Sequence, residues 1–263
     1  MTVWDVQSGD KLTEAQVVAP VSTEMHCDNC HSDGQQEDIA TGIVEKNILV
    51  LHDMENLAEY PPGQGALVDD APVLCAQCHA SNALNAPGVQ GIPNLSRAVH
   101  DKHKEEVTQD LAGCYQCHPG PQTKCLRDVM AQRGMDCVDC HGTMQEVAEN
   151  PNTWFDEPRC DNPGCHDGGA YDQDQALYRL STEHGGLYCA ACHDSPHAIA
   201  PSRETNDQIK FIALQGSPGT LRTCTVCHAS VPSSLPGPHG MQAVPDLPPR
   251  LYLPIVFRQA DGL

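Results

Sequence analysis

Six short segments of this 263-residue chain share one pattern, Cys-x-x-Cys-His: CDNCH ending at His31, CAQCH at His79, CYQCH at His118, CVDCH at His141, CAACH at His193 and CTVCH at His228. The gaps between them are irregular, so a motif repeats here and not a fold unit of fixed length, and a solenoid is not expected. A further segment, CDNPGCH, puts Cys160, Cys165 and His166 between the fourth and fifth copies, 25 residues after His141 and 27 before His193. Without it the densest part of the chain would contain a gap of 52 residues. It is therefore read as a seventh member of the series, widened by two residues.

Cys-x-x-Cys-His is the attachment signal for c-type haem. Two thiols add to the two vinyl groups on one porphyrin edge as thioethers, and the histidine that follows is placed under the iron as its proximal ligand. The cysteines in these roles are Cys27 and Cys30, Cys75 and Cys78, Cys114 and Cys117, Cys137 and Cys140, Cys160 and Cys165, Cys189 and Cys192, and Cys224 and Cys227. In the widened copy, Asn162-Pro163-Gly164 is turn chemistry that loops outward and lets Cys160 and Cys165 reach the same two vinyls. One isolated motif would fit zinc as readily as haem. A structural zinc site needs four ligands, however, and does not require a histidine directly after the second cysteine. A disulfide framework would give that histidine no role. Seven copies with the histidine in one place select haem c, seven groups per chain.

Composition agrees. Only 4% of residues are aromatic, and Gly and Pro together make 42, so polypeptide alone builds a poor core. Seven porphyrins, about one per 38 residues, would supply the missing apolar surface. The expected fold is a coil-rich multihaem cytochrome c with few short α-helices, minimal β and a core of stacked haems, in a single heptahaem domain over 1–263. The formal net charge of -20 disfavours nucleic acid and anionic membranes as partners. No apolar run is long enough for a membrane span. The opening MTVWDVQSGDK lacks the basic-then-apolar profile of a signal peptide, so an extracytoplasmic location, at the cell surface, outside the cell or in the periplasm, requires a leader that is removed or lies outside this sequence.

Seven histidines lie outside the motifs: His26, His52, His100, His103, His184, His197 and His239. Their number equals that of the motifs, which points to a second histidine on every iron. His26 abuts Cys27, and His197 follows His193 by four residues, so each is expected to serve a neighbouring haem. His100 and His103 share one face of the helix predicted over Leu95 to Gly113, with Ser96 as N-cap and Gly113 as stop. A second helix is predicted over Gln122 to Gly134, and a short strand around Ile48 in NILVLHD. Each motif is expected to form about one helical turn. Cys125 belongs to no motif and reads as a free buried thiol or an intermolecular disulfide. The proline-rich C-terminal stretch is expected to be extended, with 241–263 as an arm whose LYLPIVF either docks on another surface or packs over the protein's own haems.

CYQCHPGPQTKCLRDVM, CVDCHG, EPRC…CH, EHGGLYCAACHDSPHA, LQG, CTVCHA and GPHG together resemble the large multihaem c-type cytochromes of metal- and sulfur-cycling bacteria and archaea, over roughly Cys114 to Gly240. The first hundred residues match only through their motifs. The resemblance implies electron transport, with extracellular cytochrome filaments or nanowires as one form of assembly. A homopolymer would bring an axial histidine from one subunit to the next, with His26 and His52 as the donors to consider. Other expected partners are redox proteins or a mineral or extracellular acceptor. The alternative is a multihaem reductase or oxidase of a small nitrogen or sulfur compound. Such an enzyme needs an open iron, whereas the histidine supply here is enough to close every site, so the chain is expected not to be an enzyme.

Overall fold

The structure is a computed structural model that describes residues 2–14, 24–151, 156–166, 173–175, 177–232 and 237–240. The arm over 241–263, including LYLPIVF, lies outside the described residues. The sequence reads as one domain, but contacts divide the chain into two compact units, Met1–Leu126 with Met135–Glu157, and Arg127–Gly134 with Pro158–Leu263.

The first unit opens with an antiparallel hairpin, β1 (Thr2–Trp4) and β2 (Lys11–Glu14). The first motif ends in a one-turn helix, α1 (Asp28–His31), which is tied to the longest described helix, α2 (Val44–Asn56), through Asn47. The Asn47 side chain is fully buried. Its amide nitrogen donates to His31 O and Asp33 Oδ1, both at 2.8 Å, and its oxygen accepts from Thr41 N and Thr41 Oγ1. NILVLHD, expected as a strand, lies inside α2. A short apolar run does not distinguish strand from helix by itself; here polar anchors at Asn47 and Asp53 hold the segment helical.

The Leu95 to Gly113 expectation is corrected to two helices, α3 (Leu95–His103) and α4 (Leu111–Cys114). Asn94, not Ser96, caps the first, accepting from Arg97 N at 2.9 Å. Asp110 caps the second, accepting from Ala112 N and Gly113 N. A short polar side chain that satisfies the orphan amides of a new helix competes with continuation of the old one. Gly113 is no stop. A Cβ there would fall 1.9 Å from the Thr108 carbonyl oxygen, so the turn between the helices requires glycine. Helix α3 packs against α6 (Met144–Glu149), which carries a Thr143/Glu146 capping box and follows α5 (Cys137–His141) in the chain.

The helix expected over Gln122 to Gly134 is reduced to a 3-10 turn at Ala131–Arg133. Tertiary partners take the backbone groups it would have used. In the first unit, buried Glu24 accepts from Gly120 N (2.8 Å), Gln122 N (2.7 Å), Thr123 N (3.0 Å) and the Thr123 hydroxyl. The Thr123 hydroxyl bond outweighs burial and, with the backbone bonds, holds the Glu24 carboxyl down at about 2. In the second unit, Arg127 N donates to His197 O and Val129 N to Ile199 O, while Lys124, between the two sets, has a left-handed φ of 49°.

The second unit contains a small hairpin, β3 (Thr182–Glu183) with β4 (Leu187–Tyr188), whose Leu187 and Tyr188 lead directly into α7 (Cys189–His193). Helix α8 (Thr205–Gln215) places Phe211 at the centre of this unit, fully buried. Arg127 and Asp207 form a two-point ion pair beside it, at 2.6 and 3.1 Å. Among the described residues the buried apolar side chains are Ala76, Ala148, Leu177, Tyr178, Ala198, Ala200 and Phe211, more than half of them alanine. Large side chains such as Met54, Leu57, Leu74, Ile209 and Leu214 are at least half exposed. The polypeptide is held mainly by polar anchors at turns.

Candidate metal centres

The motif segments fold alike. Three end or lie in the one-turn helices α1, α5 and α7, one begins at the last residue of α4 and continues as a turn, and two begin in the 3-10 turns Cys75–Gln77 and Cys224–Val226. In four of them the histidine N–H donates to the carbonyl of the first cysteine, at 2.8 Å for His31 and 2.9 Å for His79, His118 and His228. One such turn puts the two thiols and the imidazole of a motif on neighbouring positions of the same helical surface. In the widened copy Cys165 N donates to Asn162 O at 2.8 Å and Gly164 N to Asn162 Oδ1 at 3.2 Å, a turn that brings Cys165 back towards Cys160. None of the 15 cysteines is in a disulfide.

The histidines come together in pairs. Ring centres are 6.1 Å apart for His31 and His103, 6.1 Å for His79 and His52, 5.9 Å for His118 and His100, 5.8 Å for His228 and His184, and 5.8 Å for His193 and His239. Every pair joins one motif histidine to one non-motif histidine, and both members always belong to the same unit. The separation is nearly constant while the interplanar angle runs from 15° to 89°. Direct ring packing gives no reason for that combination. Two imidazoles bound to opposite faces of one metal do, because two bonds of about 2 Å plus roughly 1.1 Å from each nitrogen to its ring centre fix the distance near 6 Å and leave rotation about the axis soft.

Ring nitrogen bonding agrees with that fit. His79 Nδ1 donates to Pro93 O (2.8 Å), His100 Nδ1 to Ser96 O (2.7 Å) and His103 Nδ1 to Val99 O (2.7 Å). A carbonyl can only accept, so Nδ1 carries the proton and Nε2 keeps its lone pair, the tautomer and orientation of a metal-bound histidine. His52 Nδ1 lies 2.6 Å from Tyr60 Oη, and His239 Nδ1 lies 2.5 Å from Glu183 Oε2. Burial, and the facing histidine after it, lower the pKa of His31 and His52; for His193 burial is followed by His239 and then His166. Each shift favours the neutral imidazole that a metal requires.

In the second unit the non-motif histidines sit on strained backbone. His184, His197 and His239 have φ of 46°, 67° and 58°, in the left-handed region that costs a non-glycine residue about 1–3 kcal/mol. Such conformations persist where surrounding structure over-determines them, and they gather at functional sites. His184 heads the His184-Gly185-Gly186 turn of the β3–β4 hairpin, which presents its ring to His228.

His26 is half exposed, with Nδ1 3.8 Å from Asp28. His141 ends α5, and His166 lies close enough to His193 to act on its charge. His52 is opposite His79 of its own chain, so of the two histidines considered for donation between subunits, only His26 is left for that role. Motif cysteines also approach one another. Burial and then the thiols of Cys27 and Cys30 raise Cys117, and the thiols of Cys114 and Cys137 are within hydrogen-bond reach of each other, which puts the first, third and fourth motifs side by side. In the second unit Cys192 neighbours Cys227, and Tyr178 adjoins Cys160, Cys189 and Cys192, joining the fifth, sixth and seventh.

Among the described residues no three His, Cys, Asp or Glu side chains converge as ligands for a bare metal ion. Paired histidines beside paired thiols are the recurring unit, and that donor set fits haem c. Tyr60, Asp53 and Glu183, which stand behind two of these histidines, carry no sequence signal beyond the adjacency of Asp53 to His52 and of Glu183 to His184. Comparison with known proteins gives no match to a protein-family profile, a curated protein or a solved structure.

Proposed function

We propose that this protein transfers electrons through seven covalently attached c-type haems, each held between two histidines. The observation that carries the reading is the set of five motif-to-non-motif histidine pairs at 5.8–6.1 Å. Haem c supplies a one-electron ferric/ferrous couple when bound. The chain's own residues would hold each haem through two thiols with a histidine on either side, and the thiol contacts bring the first, third and fourth motifs together in one unit and the fifth, sixth and seventh in the other. With both axial positions filled, a site exchanges electrons but binds no substrate. The -20 charge suits a positively charged redox partner or a mineral surface in an extracytoplasmic setting.

Intact mass of the matured protein is expected to exceed the polypeptide by seven haems, and the double variant Cys160→Ala/Cys165→Ala by six. A wild-type count of six would remove CDNPGCH from the set. The alternative, reduction or oxidation of a small nitrogen or sulfur compound, needs an open axial position. On that reading the motif histidines outside the five pairs, His141 and His166, are where such a position would be sought.

Assembly into an extracellular filament belongs to the same proposal. His26, half exposed and at the edge of the first motif, is the histidine available to a neighbouring copy. A head-to-tail contact that does not close into a ring grows without limit. Sedimentation and electron microscopy of the native protein are expected to show polymers that His26→Ala shortens; a monodisperse wild-type monomer would end the filament reading and leave electron transfer standing.

A further inference from the structure

The non-motif histidines are not backed alike. His100 and His103, both on α3, give their Nδ1 protons to neutral backbone carbonyls four residues back. His52 points its Nδ1 at the Tyr60 hydroxyl, 2.6 Å away, and that hydroxyl donates to Asp53 Oδ1 at 2.7 Å. Asp53 is buried, and it also accepts from Leu67 N (2.8 Å) and Val68 N (3.0 Å). In the second unit, Glu183 makes a charge contact with His239, one carboxylate oxygen 2.5 Å from Nδ1 but outside hydrogen-bond alignment, while its other oxygen accepts the His239 backbone N–H at 3.1 Å.

A carboxylate charge beside a metal-bound imidazole favours positive charge on the ring and so raises the electron density at Nε2. A more basic ligand stabilises the ferric over the ferrous state, so the potential of that site falls. A tyrosine hydroxyl polarised by a carboxylate transmits the same effect in weaker form, because it accepts better from Nδ1 when its own proton is drawn towards Asp53. A backbone carbonyl carries no net charge and does so least.

We infer that Tyr60 with Asp53, acting through His52, and Glu183, acting through His239, are positioning residues that make the His52/His79 site and the His239/His193 site the low-potential members of their respective units. Each unit then contains one carboxylate-backed site and at least one whose ligands are backed otherwise: His100/His118 and His103/His31 in the first, His184/His228 in the second. The electrostatic gradient is set by polar groups behind the ligands and needs no difference in ligand type.

This inference rests on the haem reading, and one experiment separates the two. Wild type, Tyr60→Phe and Glu183→Gln are matured with haem, counted by intact mass, and titrated by spectroelectrochemistry. In Tyr60→Phe, Asp53 keeps its two amide donors, so the loop it holds remains in place. Seven haems are expected in all three proteins. In each variant one component is expected to move to higher potential by about tenfold in its redox equilibrium, ~59 mV for one electron, while the others stay. Glu183→Asp, which keeps the charge, is expected to recover part of the shift. Absence of covalent haem from the wild type would overturn the functional reading itself. Seven haems with no component raised in either variant would overturn this inference alone.

Discussion

Chain whose cysteines have not been joined to haem is expected to be largely unfolded, with weak far-ultraviolet dichroism and no cooperative thermal transition, whereas the matured protein melts cooperatively. The helices that carry motif residues, α1, α4, α5 and α7, have four or five residues each. An isolated helix shorter than roughly 12–15 residues is marginal in water, because the cost of nucleation is never recovered by propagation. Tertiary burial does not rescue them, since the described apolar core is mostly alanine with one Phe at its centre. Ordering each backbone residue costs about 1–2 kcal/mol, and so small a core cannot offset that over two units. Covalent haem changes both sides of the balance: it cross-links each turn and gives the exposed Leu, Ile and Met side chains an apolar surface to cover. Coupling of folding to a bound group in this way is familiar from metal-dependent domains. A cooperative transition in the unmodified chain, with dispersed amide resonances, would show that the polypeptide has a sufficient core of its own and would remove the compositional argument for haem.

Replacing His103 with Ala in the matured protein is expected to open one site of seven, and His100→Ala another. His103 faces His31 and His100 faces His118, so two residues one turn apart on α3 would close two different sites under the proposed reading. Each single variant should show one high-spin ferric component and bind one carbon monoxide per chain when reduced. The double variant should bind two, and imidazole added to solution should restore the low-spin spectrum. The wild type should bind none rapidly. Substoichiometric binding in the wild type would revive the enzyme reading and direct attention to His141 and His166. Variants that bind no carbon monoxide would mean that α3 does not supply axial ligands. Helix stability is not what these variants test, since alanine is the better helix former at both positions.

Local features of this protein were legible in its sequence because their causes are local. A motif histidine bonds back to its own first cysteine four residues away, and Asn162-Pro163-Gly164 turns on its own side chain and backbone, so each could be read within a few residues. The i, i+3 spacing of His100 and His103 likewise survives as a shared helix face. The segment over Gln122 to Gly134 departs from its helical pattern for the opposite reason. Its helical pattern is real, but Glu24 in one direction and the His197–Ile199 backbone in the other claim its amides, and both partners are distant in sequence. NILVLHD became a helix because Asn47 and Asp53 found fixed polar partners that no periodicity announces.

The sequence by itself determined the inventory: seven thiol pairs, each with its histidine, an equal number of further histidines, and a composition with only 4% aromatic residues. Only the tertiary structure decided the pairing. His31 meets His103 and His193 meets His239 across long stretches of chain, and which histidine faces which depends on how helices and strained turns pack. The division into two units, the left-handed backbone at His184, His197 and His239, and the carboxylates behind His52 and His239 were decided at the same level. The physical reason is one of range: chemistry that forms within a turn of chain is written in spacing, whereas distances and charges between remote segments exist only once the chain has packed.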